Sequence, residues 1–345
     1  MGRFLTVIQV LLFAAGLALF GHVLLRSNPQ ALLEILLEHK AGILFILVVY
    51  PFFFLWGVLA WRTVFGEEPR SQTTLIELFF IRLAGESVNF ITPILDVGGE
   101  PLKVLLAHKR FEISRGAGLS SVVMDRSAQF LAQLGYMGIG LLLTPFLIPL
   151  PAEWHWILWI VLSIMGIVTA LVIFLQKRGF FTLVIEWIES LGIHPKFLHK
   201  LKIPLKKVDE DIAAFYTLRR SQIRGALVFH SLAWISLSVE TYLICRVLDI
   251  PISFAQAFAL EALVQLVRTA SFFIPANLGV QESSMAYLFS TLGYSPTQGL
   301  AVSLSRRLRQ IVWNGIGYGV WGVYQLLGIR EESDNGNGNS HKESS

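Results

Sequence analysis

Residues 43–60, ILFILVVYPFFFLWGVLA, carry no charged side chain. Wound as a helix, such a run reaches across most of the roughly 30 Å hydrocarbon core of a bilayer. Working outward from it, comparable apolar runs recur at Phe4 to Leu25, Leu75 to Ile91, Ser120 to Phe146, Trp154 to Leu175, Gly225 to Leu248, Phe254 to Ile274 and Gln298 to Leu327. Together they predict about eight transmembrane helices. Composition agrees: of 345 residues 54% are hydrophobic and 15% charged, and the mean hydropathy of +0.61 exceeds what a water-soluble domain sustains. The expected fold class is an all-α polytopic membrane protein, one integral membrane domain over residues 1–330. Residues 331–345, with no large apolar side chain, are expected to form a disordered tail.

The first run has only Arg3 ahead of it and is longer than a signal-peptide core, so it is expected to be a retained helix. The single cysteine, Cys245, lies inside an apolar run and forms no intrachain disulfide. The net charge of +4 does not point to nucleic acid, because the basic residues gather in one interhelical loop. Residues 177–224 hold ten of them, Lys177, Arg178, Lys196, Lys200, Lys202, Lys206, Lys207, Arg219, Arg220 and Arg224, around an apolar stretch, Phe180 to Ile193, suited to a membrane surface. The positive-inside bias places this loop in the cytoplasm, which suits a multi-pass protein of the inner (cytoplasmic) membrane. Eight spans then put the Lys103 to Arg115 connection on the same side and both termini outside. Trp154, Trp156 and Trp159 read as an interfacial belt.

Two further apolar segments, Pro93 to Leu106 and Pro275 to Leu292, are short and broken by Pro and Gly. They read as re-entrant half-helices lining a protein cavity. They also belong to an internal repeat: Phe90, Pro93 and Glu100 match Phe272, Pro275 and Glu282 at an offset of 182, and Gly118, Leu119, Arg126, Gln129 and Gly138 match Gly299, Leu300, Arg307, Gln310 and Gly319 at 181. Repeat one spans about residues 1–150 and repeat two about 151–330. Four spans between equivalent points predict parallel repeats, related by an axis along the membrane normal.

Charges inside the spans mark the candidate site, since each costs about 3 kcal/mol at the bilayer centre unless it faces protein, water or ligand. Asp125 and Arg126 lie in the fourth span, and Arg306, Arg307 and Arg309 in the last. Gln129 and Gln310 follow their arginines by three residues, on the same helical face. Glu100 stands between Gly98-Gly99 and Pro101, good chemistry for a turn and a helix start; Glu282 follows Gly279 without the proline. A lipid phosphate at these half-helix amino termini would meet free amides and a nearby arginine. Equally, Glu100–Arg126 and Glu282–Arg307 read as ion pairs that only hold the half-helices in place. Arg82 with Glu86 and Glu261 with Arg268 are same-face pairs, and Asn89 and Glu240 stand as lone polar residues. No metal-like spacing involves the eight histidines, of which His194 and His199 sit in the basic loop.

Pro93 to Lys103 (PILDVGGEPLK), the Asp125-Arg126 pair and Pro275 to Glu282 (PANLGVQE) resemble the flippase-like transmembrane region of lysylphosphatidylglycerol synthases. That family includes stand-alone membrane proteins, some associated with hopanoid or other polyprenyl lipids. The resemblance implies a lipid-translocating or lipid-binding domain with Glu100, Arg126 and Glu282 at its motif positions. Here Ala276 and Asn277 replace the Gly-Gly usual after the second motif's proline. No aminoacyl-transferase domain is expected after Leu327.

The expected function is therefore a flippase-like lipid transporter or lipid-binding membrane protein, not an enzyme, for an anionic or isoprenoid lipid. Its headgroup site draws on Glu100, Arg126, Glu282, Arg307, Gln129, Gln310, Asp125, Asn89 and Lys103. No cofactor or metal is expected, and without a P-loop motif the energy would come from an ion or lipid gradient. Alternatives are an enzyme acting on a polyprenyl-phosphate, with Asp209-Glu210-Asp211 holding a metal, or an accessory subunit that binds a lipid-synthesis enzyme through the basic loop.

Overall fold

Short polar signals set where the membrane helices begin. The computed structural model describes residues 2–26, 28–65, 73–92, 98–190, 205–214 and 220–338. Its helices are α1 (Gly2–Arg26), α2 (Pro29–Glu38), α3 (Lys40–Val64), α4 (Leu75–Ile91), α5 (Glu100–Phe111), α6 (Arg115–Leu147), α7 (Ala152–Arg178), α8 (Phe180–Ser190), α9 (205–214), α10 (Arg220–Val247), α11 (Phe254–Ala270), α12 (Val280–Thr291) and α13 (Pro296–Gly338). Thr74 and Ser114 accept from the amides of Glu77 and Ala117 at the starts of α4 and α6. Ser253 and Gln256 form a reciprocal capping box on α11. Lys40–Val64, Arg115–Leu147, Trp156–Arg178 and Arg220–Val247 are each long and apolar enough to cross a bilayer.

The eight long helices and two half-helices expected from the sequence are present, but their course differs from the expected one. Glu77, at the start of α4, binds Arg110, near the end of α5, at 2.5 Å. The half-helix α5 thus returns to the face from which α4 entered. The second pair does the same: Tyr294, after α12, donates to the carbonyl of Pro251, before α11, at 3.1 Å. Each pair is a re-entrant hairpin with no net crossing. Only α6, α7 and α10 then cross between the two hairpins, an odd number, and the repeats are inverted rather than parallel.

Helix directions confirm the inversion. Gly42 abuts Val247 at one end of the α3–α10 pair, Gly225 abuts Thr63 at the other, and Trp56 stacks on Phe229 between them, with ring centroids 6.2 Å apart. These equivalent helices therefore run antiparallel, which requires the two-fold axis to lie in the membrane plane. The axis exchanges two further packings, α4 on α13 and α6 on α11. Ser87 meets Gly317 in the first, and Gly140 meets Ala262 in the second. Small residues at both crossings let backbones approach where lipid tails supply no hydrophobic drive.

Two apolar clusters close the ends. One joins Phe65, Phe111, Ile113, Val208 and Ile212 with Leu75 and Tyr324; the other joins Leu32, Ile43, Ile148, Leu158, Leu248 and Ile250 with Tyr294. The first marks the face of the basic loop, and α13 ends there. The end of α1 packs into the second through Val23 and Leu24, so α1 starts on the basic face. Both termini therefore share the side of the 177–224 loop, which corrects the expected placement of the termini opposite it; the miscounted crossings are the cause.

Helix α2 was not anticipated; Asn28 caps it and Pro29 opens it. Phe180–Ser190 is a helix at the basic face with Phe180 and Trp187 exposed. The last helix continues to Gly338, so helical backbone covers the first part of the segment expected to be a disordered tail. Residues 93–97 of the first motif, His194, His199 and residues 339–345 lie outside the described residues.

Candidate functional site

Hairpin tips place the charged side chains. At the first tip, Gly99 lies so close to α4 that a Cβ on it would overlap the Gly85 carbonyl, and the Gly99 amide donates to Asn89 Oδ1 at 2.6 Å. Asn89 Nδ2 then donates to Glu86 at 3.2 Å and to Glu100 at 3.0 Å. Arg126, from α6, completes the cluster: its Nε binds Glu100 Oε1 at 2.6 Å, Nη2 binds both Glu86 oxygens at 3.1 Å, and Nη1 binds Gln129 at 3.0 Å. Lys103 is buried between Glu86 (3.1 Å) and Glu100 (2.8 Å), 5.9 Å from the centre of the Trp61 ring.

The second tip repeats the chemistry. Arg307 binds Glu282 through Nε (3.0 Å) and Nη2 (2.7 Å) and Gln310 through Nη1 (3.0 Å). The same Nη1 holds the carbonyl of Ala276 at 3.0 Å. Ala276 and Asn277 take φ values of 53° and 50°. These are left-handed conformations that glycine adopts freely, so Gly-Gly there would be unstrained, and the arginine bond helps to hold this version of the turn. Glu282 Oε2 accepts from the Gly279 amide at 2.8 Å. The carboxylate thus occupies the helix amino terminus that the sequence reading offered to a phosphate, and a ligand there must displace it.

Glu100, Arg126, Gln129, Asn89 and Lys103 thus form one cluster, and Glu282, Arg307 and Gln310 form the other. Asp125 belongs to neither directly. It lies behind the first, bound to Arg82 at 2.7 Å and His230 at 2.8 Å. The same-face pairs expected on single helices are secondary. Arg82 stands 3.9 Å from Glu86, and Glu261 is held instead by a two-pronged bond from Arg306 (2.6 and 2.8 Å). Glu240 is not a lone polar residue, since Arg309 grips both its oxygens at 2.7 and 2.9 Å and lies 4.1 Å from the Tyr50 ring centre. His230 and Glu86 are the residues undervalued from sequence; a histidine in an apolar helix carries no local signal.

Both charge sets balance. Arg82, Lys103 and Arg126 face Glu86, Glu100 and Asp125 in the first, and Arg306, Arg307 and Arg309 face Glu240, Glu261 and Glu282 in the second. Their exposure differs. The side chains of Glu86, Arg126 and Glu100 are 25%, 23% and 13% exposed, while Glu282 is 0% and Arg307 10%. The Asp209-Glu210-Asp211 run is committed elsewhere: Asp209 caps α8 by accepting from the amides of Phe181 and Thr182, and Asp211 accepts from Ser120. Among the described residues no group of His, Cys, Asp and Glu has the arrangement of a metal site.

The model of the family described as the lysylphosphatidylglycerol synthase TM region matches residues 6–316. A UPF0104 membrane protein of Methanothermobacter thermautotrophicus is 27% identical over 250 residues, covering 67% of this chain and 70% of its own. No solved structure matches.

Proposed function

This chain belongs to the lysylphosphatidylglycerol synthase transmembrane-region family, and from that premise we propose that it is a lipid transporter, not an enzyme, which carries an anionic or isoprenoid-phosphate headgroup between the two hairpin tips while the tails stay in the bilayer. The observation that carries this reading is the duplicated Glu–Arg–Gln set, Glu100–Arg126–Gln129 and Glu282–Arg307–Gln310, at the tips of hairpins inserted from opposite faces. Guanidinium groups bind phosphate with matched geometry. The glutamates keep the empty site neutral, and an arriving phosphate takes their place on the arginine. An in-plane two-fold axis gives two states of similar energy that open to opposite sides, the basis of alternating access. The greater exposure of the first set fits one of these states.

Movement of fluorescent anionic, zwitterionic and polyprenyl-phosphate lipids in reconstituted liposomes tests the proposal. Arg126→Ala removes charge-assisted hydrogen bonds of about 1.5–3 kcal/mol, so transport of the anionic substrate is expected to fall about ten- to hundredfold. Glu282→Gln, which keeps shape but not charge, should slow it as well. Movement of no lipid by the folded wild type, or wild-type rates in Arg126→Ala, would overturn the reading.

We place the chain in the inner membrane with the basic face in the cytoplasm, following the positive-inside bias. Native Cys245 is buried, so introduced cysteines report cleanly. Glu153→Cys is expected to react with an impermeant maleimide on intact spheroplasts and Lys109→Cys only after lysis; the reverse pattern would invert the orientation.

A further inference from the structure

Among the departures from the two-fold relation, one brings in a buried histidine. Where repeat two places Arg306, repeat one places Asp125, 181 residues earlier, and the partner of Asp125 on α10 is His230. Among the histidines whose burial is described, His230 is the only buried one. Arginine in the second charge set keeps its proton at every physiological pH, whereas an imidazole exchanges one readily. We infer that the His230–Asp125 pair is a proton-binding site coupled to the headgroup site at Arg126, so that one proton enters with one anionic headgroup. This rests on the transporter reading above.

The route is a chain of bonds. A carboxylate only accepts, so Asp125 Oδ1 fixes the neutral imidazole with its proton on Nε2, and an added proton from water lands on Nδ1. Asp125 then answers two full cations, His230 and Arg82. Its hold on Arg82, now 2.7 Å, is shared, and Arg82 turns toward Glu86, already 3.9 Å away. Glu86 in turn slackens its 3.1 Å grip on Arg126, which is freed for a phosphate. Charge counting gives the same result. The cluster is neutral with neutral His230 and carries one net positive charge once it is protonated, which an anion at Arg126 and Lys103 cancels.

Charged groups face His230 from most of the neighbouring elements. On α4 and α6 these are Arg82, Asp125 and Arg126. Helix α3 has no titratable side chain between Pro51 and Trp61. Helix α11 carries Glu261, bound to Thr241 and Arg306, and Arg268; α13 carries Arg306 and Arg309, bound to Glu261 and Glu240. Linkage is reciprocal: protonation must strengthen anion binding by the factor that the anion strengthens protonation.

The test uses the purified full chain in nanodiscs, with dioleoylphosphatidylglycerol as the anionic probe and dioleoylphosphatidylcholine as the control. Between about pH 8 and about pH 5.5, binding of the anionic probe is expected to tighten about tenfold, and His230→Gln should flatten this profile. Proton uptake by the wild type in weak buffer on adding the anionic probe, absent with the zwitterionic one, gives a second reading that needs no variant. Anionic binding that persists without pH dependence or proton uptake would overturn the coupling and leave the transporter reading intact. Absence of binding of the anionic probe at every pH overturns the coupling, and it overturns the transporter reading as well where the folded wild type moves none of the lipids in liposomes.

Discussion

Replacing Arg306 by Met is expected to destabilise the protein by about 3–5 kcal/mol, the cost of leaving a buried charge without its partner. Arg306 and Glu261 are both fully enclosed, joined by two short bonds, with Thr241 donating to the same carboxylate. The single variant leaves Glu261 without its guanidinium partner in a fully enclosed site. The double variant Arg306→Met/Glu261→Leu is expected to recover most of the loss, because removing both charges also removes both desolvation penalties. Reversible unfolding in mixed micelles measures each corner of the cycle. A single variant within 1 kcal/mol of wild type, roughly the value of an exposed pair, would show that water reaches this pair.

The second large effect is expected at the tip of the first hairpin. Gly99→Ala would drive a methyl group into the Gly85 carbonyl and displace the amide that binds Asn89. Overpacking of this kind costs about 1–3 kcal/mol. Here it also shifts Glu100 and Lys103, which follow on α5, away from Arg126, so lipid movement is expected to be lost even where folding survives. Gly138→Ala in α6 is the matched control. A Cβ there meets nothing within 4 Å, and alanine raises helix propensity by up to about 1 kcal/mol. Equal lipid movement in the two variants would show that the approach of Gly99 to Gly85 does not position the site.

The tip motifs were readable because they break local rules. Proline and paired glycines inside an apolar run, followed by a glutamate, cannot continue a helix through lipid, so the half-helices and the residues Glu100 and Glu282 stood out. The Arg-x-x-Gln repeats likewise placed Arg126, Gln129, Arg307 and Gln310 correctly on one face each. The pairs Glu100–Arg126 and Glu282–Arg307 were readable too, but the partners of Arg82 and Glu261 were not. Spacing along a single helix favoured Arg82 with Glu86 and Glu261 with Arg268. In the folded chain facing helices supply the closer partners: Asp125 takes Arg82 through one 2.7 Å bond, and Arg306 takes Glu261 with the two-pronged geometry that a guanidinium prefers.

The sequence by itself determined that this chain lives in a membrane, how many long helices it has and that its two halves are related. These properties follow from local hydropathy and identities at a fixed offset, neither of which needs a neighbour in space. The sense of that relation was decided only by the tertiary structure. A hydropathy window gives a segment's length but not the face to which it returns, and that face is set by long-range contacts such as Glu77 with Arg110 and Tyr294 with Pro251. Because those contacts bring each half-helix back to its own side, the number of crossings between the repeats is odd, and the two charged tips meet from opposite faces of the bilayer.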